Sequence, residues 1–174
     1  MSRRLVDDRW LRLRADDCLT SEGVEIAPYY VFDYPEWVQV VAIDDHDHIV
    51  LVEQYRHGLG GVTWELPAGT LDYRDSDPVA GAARELEEET GYGSDQWRYI
   101  ARMTPNPANQ SNHCHVVLAT GASLRRPPLD DPTERLNVFR VPVAEAVALV
   151  RSGKISCAMS IAALALALSE TGQW

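Results

Sequence analysis

Residues 77–91, DPVAGAARELEEETG, limit the possible folds more than any other stretch. Both ends of a helix are marked there. Asp77 can accept from the free amides of the first turn, Pro78 suits that turn, and Gly91 is a natural stop just past the end. Between Ala80 and Glu89 no residue is β-branched, so propensity agrees with the caps. At about 100° per residue, Glu85, Glu88 and Glu89 share an arc of roughly 100°, beside an apolar stripe of Val79, Ala82, Ala83 and Leu86. Glu87 points elsewhere and is expected in solvent. Like charges at these spacings cost about 0.2–0.5 kcal/mol per pair, and a helix C-terminus is already electronegative. A bound cation would offset that cost. Magnesium prefers oxygen ligands, keeps several waters and is often completed by substrate phosphates. The plain alternative is a solvated acidic face.

Strand-like segments surround this helix. Short β-like pieces, RWLRLRA and VEIAPYYVF, fall within residues 9–32, with turns expected at Asp16–Asp17 and Gly23. WVQVVAI, the polar DDHDH and IVLVEQYR read as a hairpin, and VTWELPAG as a short strand ending at Pro67. WRYIARM, HCHVVLAT and RLNVFRV are further strands, and helices are expected at 143–152 and 158–169. One central helix among strands, with more helix at the end, predicts an α/β (α+β) fold whose sheet is covered on both faces. The single candidate boundary lies near Pro35. It divides an N-terminal β-strand segment, 1–36, a possible dimerisation flap, from a main domain, 37–174.

A chain of 174 residues with 45% hydrophobic content can bury one good core. Its net charge of −10 argues against nucleic acid as a partner, and an acidic protein handling phosphates needs a cation in between. Three dispersed cysteines suit reduced thiols in a cytoplasm. No apolar leader opens the sequence, and the run AMSIAALALAL is too short for a bilayer, which takes about 20 residues. A cytoplasmic protein with no membrane contact is therefore expected.

The segment GTLDYRDSDPVAGAARELEEETGY resembles the Nudix box, the signature of hydrolases acting on nucleoside diphosphates linked to another moiety. Arg84, Glu85, Leu86, Glu88, Glu89 and Gly91 match the family pattern in register, with Tyr92 at the last apolar position. The resemblance implies an α/β/α sandwich with a mixed sheet. It implies Glu85 and Glu89 as main ligands of Mg²⁺ (or Mn²⁺), Glu88 assisting in metal binding and catalysis, Arg84 orienting the carboxylates, and the Ala68 carbonyl as a further oxygen. One departure stands out. Fourteen residues separate Gly69 from Arg84 where the pattern has thirteen, and the loop holds no Glu. Asp75, Ser76 or Asp77 must replace it.

Outside the box, VEQYRHG followed by WELPAG is similar to the branch that hydrolyses ADP-ribose and related nucleotide sugars, and Pro107 stands about where that branch carries a marker proline. Arg56 is then a candidate diphosphate clamp, its planar fork suited to two phosphate oxygens; the alternative is a surface ion pair. The branch often builds an adenine slot from N-terminal aromatics across a homodimer interface, which makes Tyr29, Tyr30 and Trp37 candidates beside the plainer reading of strand core. Glu134, with Asp130 and Asp131 near it, is the candidate base that activates water. His113 and His115 alternate across Cys114 and so face one side of a strand. Zinc is one reading of that pair, and lining a cleft is the other. The expected reaction is metal-assisted hydrolysis of a nucleoside diphosphate sugar. The alternatives are a non-catalytic sensing or scaffold domain and a triphosphate house-cleaning pyrophosphatase.

Overall fold

The computed structural model describes residues 1–129, 133 and 135–172. The helix read from the sequence is α1, Pro78–Thr90, and its caps are those expected. The Asp77 carboxylate accepts from the amides of Val79 and Ala80, and Gly91 ends the helix with φ 74°. Leu86 and Ala82 are fully buried, with Val79 packed against the same cluster.

A small antiparallel sheet comes first: β1 (Ser2–Asp7), β2 (Arg12–Leu19) and β3 (Glu25–Asp33). The turn expected at Asp16–Asp17 is absent. β2 runs straight through, with only a register shift between Asp16 and Cys18. Asp16 is held in the strand by Arg14, at 2.8 Å, and by the Ser2 hydroxyl, at 2.6 Å. The turn at Gly23 is present, with φ 79°.

The main sheet runs β12 (Asn137–Pro142), β5 (His48–Arg56), β4 (Trp37–Ile43), β10 (Cys114–Thr120), β9 (Gln96–Met103). It is mixed, since β10 lies parallel to β4 and antiparallel to β9. The expected hairpin opens almost at once. β4 and β5 meet through the single pair Ile43–Ile49, after which β5 takes β6 (Gly61–Glu65) and β4 takes β7 (Ala68–Thr70). The Val40 amide, which a closed hairpin would give to β5, donates to Pro67 O at 2.9 Å. Between β6 and β7 the Leu66 amide donates to the Ser160 hydroxyl at 3.3 Å, and that hydroxyl donates to the Gln39 side chain at 3.1 Å. β8 (Tyr92–Gly93) and β11 (Ser123–Leu124) form a short ribbon after α1.

Both faces of the main sheet are covered. Val38, Val40 and Ala42 pack with Leu86 and Ala82 of α1, while Val41 and Ile43 pack with Leu164 and Leu168 of α3 (Ala158–Glu170). α2 (Ala146–Arg151), preceded by a short 3₁₀ turn, closes the same side as α3. None of the described helices is long and apolar enough to cross a membrane.

Candidate active site

The fork where β4 and β5 separate, to pair with β7 and β6, brings residues 68–70 beneath α1. Glu85 lies over Gly69 so closely that a Cβ there would stand 2.1 Å from its carboxyl carbon. Only a residue without a side chain admits that approach. Glu89, one turn on, is buried and accepts from the Ala68 amide at 3.0 Å. The structure thus brings Ala68 to the carboxylates through its N–H. Glu88 is the most open of the three, its side chain 38% exposed.

Arg84 ties the group together. Its Nη1 donates to Glu85 at 2.8 Å and to Glu88 at 3.0 Å, and its Nη2 donates to Thr70 O at 2.9 Å. The other edge of the guanidinium meets Asp75, with Nε and Nη2 at 3.1 and 2.9 Å from the two oxygens. Asp75, followed by Glu85 and Glu88, raises the Arg84 pKa further above its ordinary value, so it remains a cation. In return Arg84 holds the Asp75 carboxyl below the usual range. Glu87 faces away, as expected, and pairs with Arg126 at 2.8 Å.

The oxygen donors at 85, 88 and 89 suit a hard dication, and the missing side chain at Gly69 leaves room for the carboxyl that leads them. Among the described residues no three acidic, His or Cys side chains already stand as a closed cage. Two of the three carboxylates are instead engaged by Arg84.

Arg56 reaches the same side of the sheet as α1, by alternation from Val50. It forks onto Glu65, with Nη2 2.7 Å and Nε 3.2 Å from the carboxylate oxygens, and Glu65 is buried. Glu65 was not singled out from the sequence, although it stands in the WELPAG stretch. Trp37 is on the opposite face, aligned with Gln39 and Val41 towards α3, and the structure does not bring it to the carboxylates. Tyr29 reaches the loop that carries Pro107. The Tyr29 hydroxyl donates to the carbonyl of Ala108, and both Tyr29 and Tyr30 are exposed. Glu134, Asp130 and Asp131 lie outside the described residues. The chain leading to them is fastened to α1, with the Leu129 amide donating to Glu88 O at 2.9 Å.

His113 and His115 do share one side, where a single carboxylate joins them. His115 Nε2 lies 2.8 Å and His113 Nδ1 3.0 Å from the two oxygens of Glu36. Arg102 approaches His113 Nε2, and the Tyr99 hydroxyl approaches His115 Nδ1, each at 3.0 Å. Arginine can only donate, so His113 presents its proton to Glu36. The His115 bond, then the His113 bond, holds the Glu36 carboxyl low against the opposing effect of burial. The zinc reading gains nothing from the described residues.

Comparison with known proteins decides the family. The NUDIX domain profile matches residues 34–157. The chain belongs to the Nudix hydrolases. Residues 2–32 of this Nudix hydrolase also match the nucleoside diphosphate sugar hydrolase N-terminal domain. It is 37% identical over 147 residues to the ADP-ribose pyrophosphatase of Mycobacterium tuberculosis, across 84% of this chain and 71% of that one. It is also 30% identical over 153 residues to the methanol dehydrogenase activator of Bacillus methanolicus, across 87% and 82% of the two chains. A crystal structure of an ADP compounds hydrolase superposes on the Nudix hydrolase with a TM-score of 0.87 at 25% identity, over 100% of this chain and 95% of that one. Nudix hydrolases generally use divalent metals, which agrees with the oxygen-rich donor set beneath α1.

Proposed function

We propose that this Nudix hydrolase cleaves the diphosphate bond of ADP-ribose, or of a closely related nucleoside diphosphate sugar, to a nucleoside monophosphate and a sugar phosphate. One observation carries the reading: Glu85, Glu88 and Glu89 are gathered by Arg84, Gly69 and Ala68 in a chain whose relatives include an ADP-ribose pyrophosphatase. In this reading the three carboxylates hold Mg²⁺, or Mn²⁺ in its place. When bound, the metal neutralises the diphosphate oxygens and activates water.

The chain's own residues do the rest. Arg84 turns Glu85 and Glu88 to one side, and the Ala68 amide fixes Glu89. Arg56, held flat against Glu65 by Nε and Nη2, is the clamp for the diphosphate oxygens. Glu134 takes the proton from water. Tyr29, with the loop that carries Pro107, supports the nucleoside end.

A homodimer fits the N-terminal sheet. Every residue of β3 from Glu25 to Tyr30 is exposed, including Ile26, Tyr29 and Tyr30, and so are Leu5 on β1, Leu19 on β2 and Trp10 in the turn between them. Apolar surface on this scale is characteristic of an interaction site. The segment 1–36 acts as the dimerisation arm of the domain at 37–174. Three free cysteines among the described residues accord with a cytoplasmic setting.

The deciding experiment is incubation with ADP-ribose and Mg²⁺, with AMP and ribose 5-phosphate as the expected products. A parallel panel of nucleoside diphosphate sugars ranks base and sugar. No product from any of them, with the metal bound, would favour the sensing or scaffold alternative.

A further inference from the structure

We infer that Asp75 is a positioning residue for the metal-binding carboxylates, standing in for the glutamate that the Nudix pattern places in this loop. The kinetic half of this inference rests on the hydrolase reading above, and the metal-binding half does not.

Three acidic or hydroxyl side chains could have replaced that glutamate, and the structure separates them. Asp77 is committed to the helix cap, accepting from Val79 and Ala80 at 2.9 Å each. The Ser76 hydroxyl donates to Asp77 at 3.2 Å. Asp75 alone of the three reaches the helix cation, taking Arg84 Nε and Nη2 on separate oxygens. Its Oδ2 also accepts the Asp72 amide at 2.7 Å, which anchors the carboxylate to the loop backbone. The side chain of Asp75 is only 8% exposed.

The unusual spacing has a physical reading. Aspartate is one methylene shorter than glutamate, and this loop is one residue longer than the pattern. The additional backbone supplies the reach that the side chain lacks. A second observation agrees. Gly81 lies within α1, where glycine costs about 0.5–1 kcal/mol relative to alanine. A Cβ there would stand 2.4 Å from Leu71 Cδ2 and 3.1 Å from Asp75 Oδ2. The missing side chain lets the Asp75 loop lie flat against the helix, three residues before Arg84. With one edge of its guanidinium occupied by Asp75, Arg84 can only aim Nη1 at Glu85 and Glu88. Removing Asp75 frees Arg84 to turn, and the carboxylates lose their common orientation.

The test compares wild type, Asp75→Asn, and Asp75→Glu combined with deletion of Ser76, which restores the family spacing. Mn²⁺ affinity is read from the free-ion EPR signal, with ADP-ribose hydrolysis and Tm measured alongside. Asp75→Asn should weaken Mn²⁺ binding and hydrolysis by about 10–100-fold, the usual loss when a partner behind the ligands is removed. Its Tm should fall little, and the compensated variant should regain wild-type affinity. Wild-type Mn²⁺ affinity in Asp75→Asn would overturn the inference. If Asp75→Asn does not fold, the compensated variant decides: wild-type affinity supports the assignment, and weakened affinity in a folded chain overturns it. Should wild type turn over no ADP-ribose, the functional reading falls while the Mn²⁺ comparison still decides for or against Asp75. A wild-type chain that takes up no Mn²⁺ overturns both.

Discussion

The carboxyl group of Glu85 occupies the space that a side chain at position 69 would need, 2.1 Å from where its Cβ would lie. Gly69→Ala should therefore push Glu85 aside without unfolding the protein, because the displaced atoms are the end of a flexible chain. Hydrolysis should drop by about 100-fold, the scale of loss when a reacting group is misplaced by about 1 Å. Circular dichroism melts beside metal-dependent turnover will check both halves. Wild-type activity would mean that the position of Glu85 is not used.

Glu89 is buried and accepts from the Ala68 amide. Glu89→Gln keeps an acceptor for Ala68 and removes the charge. Its kcat should fall on the order of 100-fold or more, beyond what loss of an outer partner produces, with Tm nearly unchanged. Turnover at saturating Mg²⁺ is the measurement.

Arg56→Lys preserves charge but not the planar fork. KM for ADP-ribose should rise about tenfold, the value of one charge-assisted hydrogen bond, and kcat should move less. The lysine leaves buried Glu65 with a cation nearby, so the fold should survive, which Arg56→Ala would not guarantee. Steady-state kinetics on the two variants will separate the clamp from a merely structural pair.

Asp44 gives a pH signature remote from the catalytic residues. Burial pushes its carboxyl up, but the amides of His48 and His46 and the Arg140 guanidinium outweigh burial, and the net shift is downward. A lowered folded-state pKa means that the stabilisation is present above the unfolded value of about 3.9 and is lost as pH falls below it. Asp44→Asn should cost about 1–3 kcal/mol near neutrality, from donors left less well satisfied. The gap to wild type should close below about pH 4 in denaturant titrations at several pH values.

The exposed arm predicts assembly. Ile26→Asp with Tyr30→Asp should convert a dimer to a monomer in light scattering and weaken substrate binding more than it lowers Tm. A wild-type monomer at micromolar concentration would remove the shared slot.

Local features were legible in the sequence. The α1 caps and the arc of Glu85, Glu88 and Glu89 follow from nearest-neighbour chemistry, as does the common side of His113 and His115. Contacts between distant segments were not. Nothing near Gly69 announces Glu85, and nothing near His113 announces Glu36. β1 was missed because SRRLVD shows no alternation of apolar and polar residues. The Asp16–Asp17 turn was misread because Arg14 and Ser2, at positions the pattern ignores, keep Asp16 in a strand. The β4–β5 hairpin was overextended because strand pairing depends on what else competes for an edge, here β6 and β7. Trp37 was grouped with the other rings by type, whereas strand alternation turns it towards α3.

Ser160 is the one hydroxyl in the α3 interior that touches the fork, linking the Leu66 amide to Gln39. A wholly greasy C-terminal helix would pack as tightly and still leave that amide stranded, just ahead of the turn that delivers Ala68 and Gly69. Chemistry on one side of the sheet is thereby mortgaged to a single oxygen on the other, and sequence drift in the last helix is answerable to a centre it never touches.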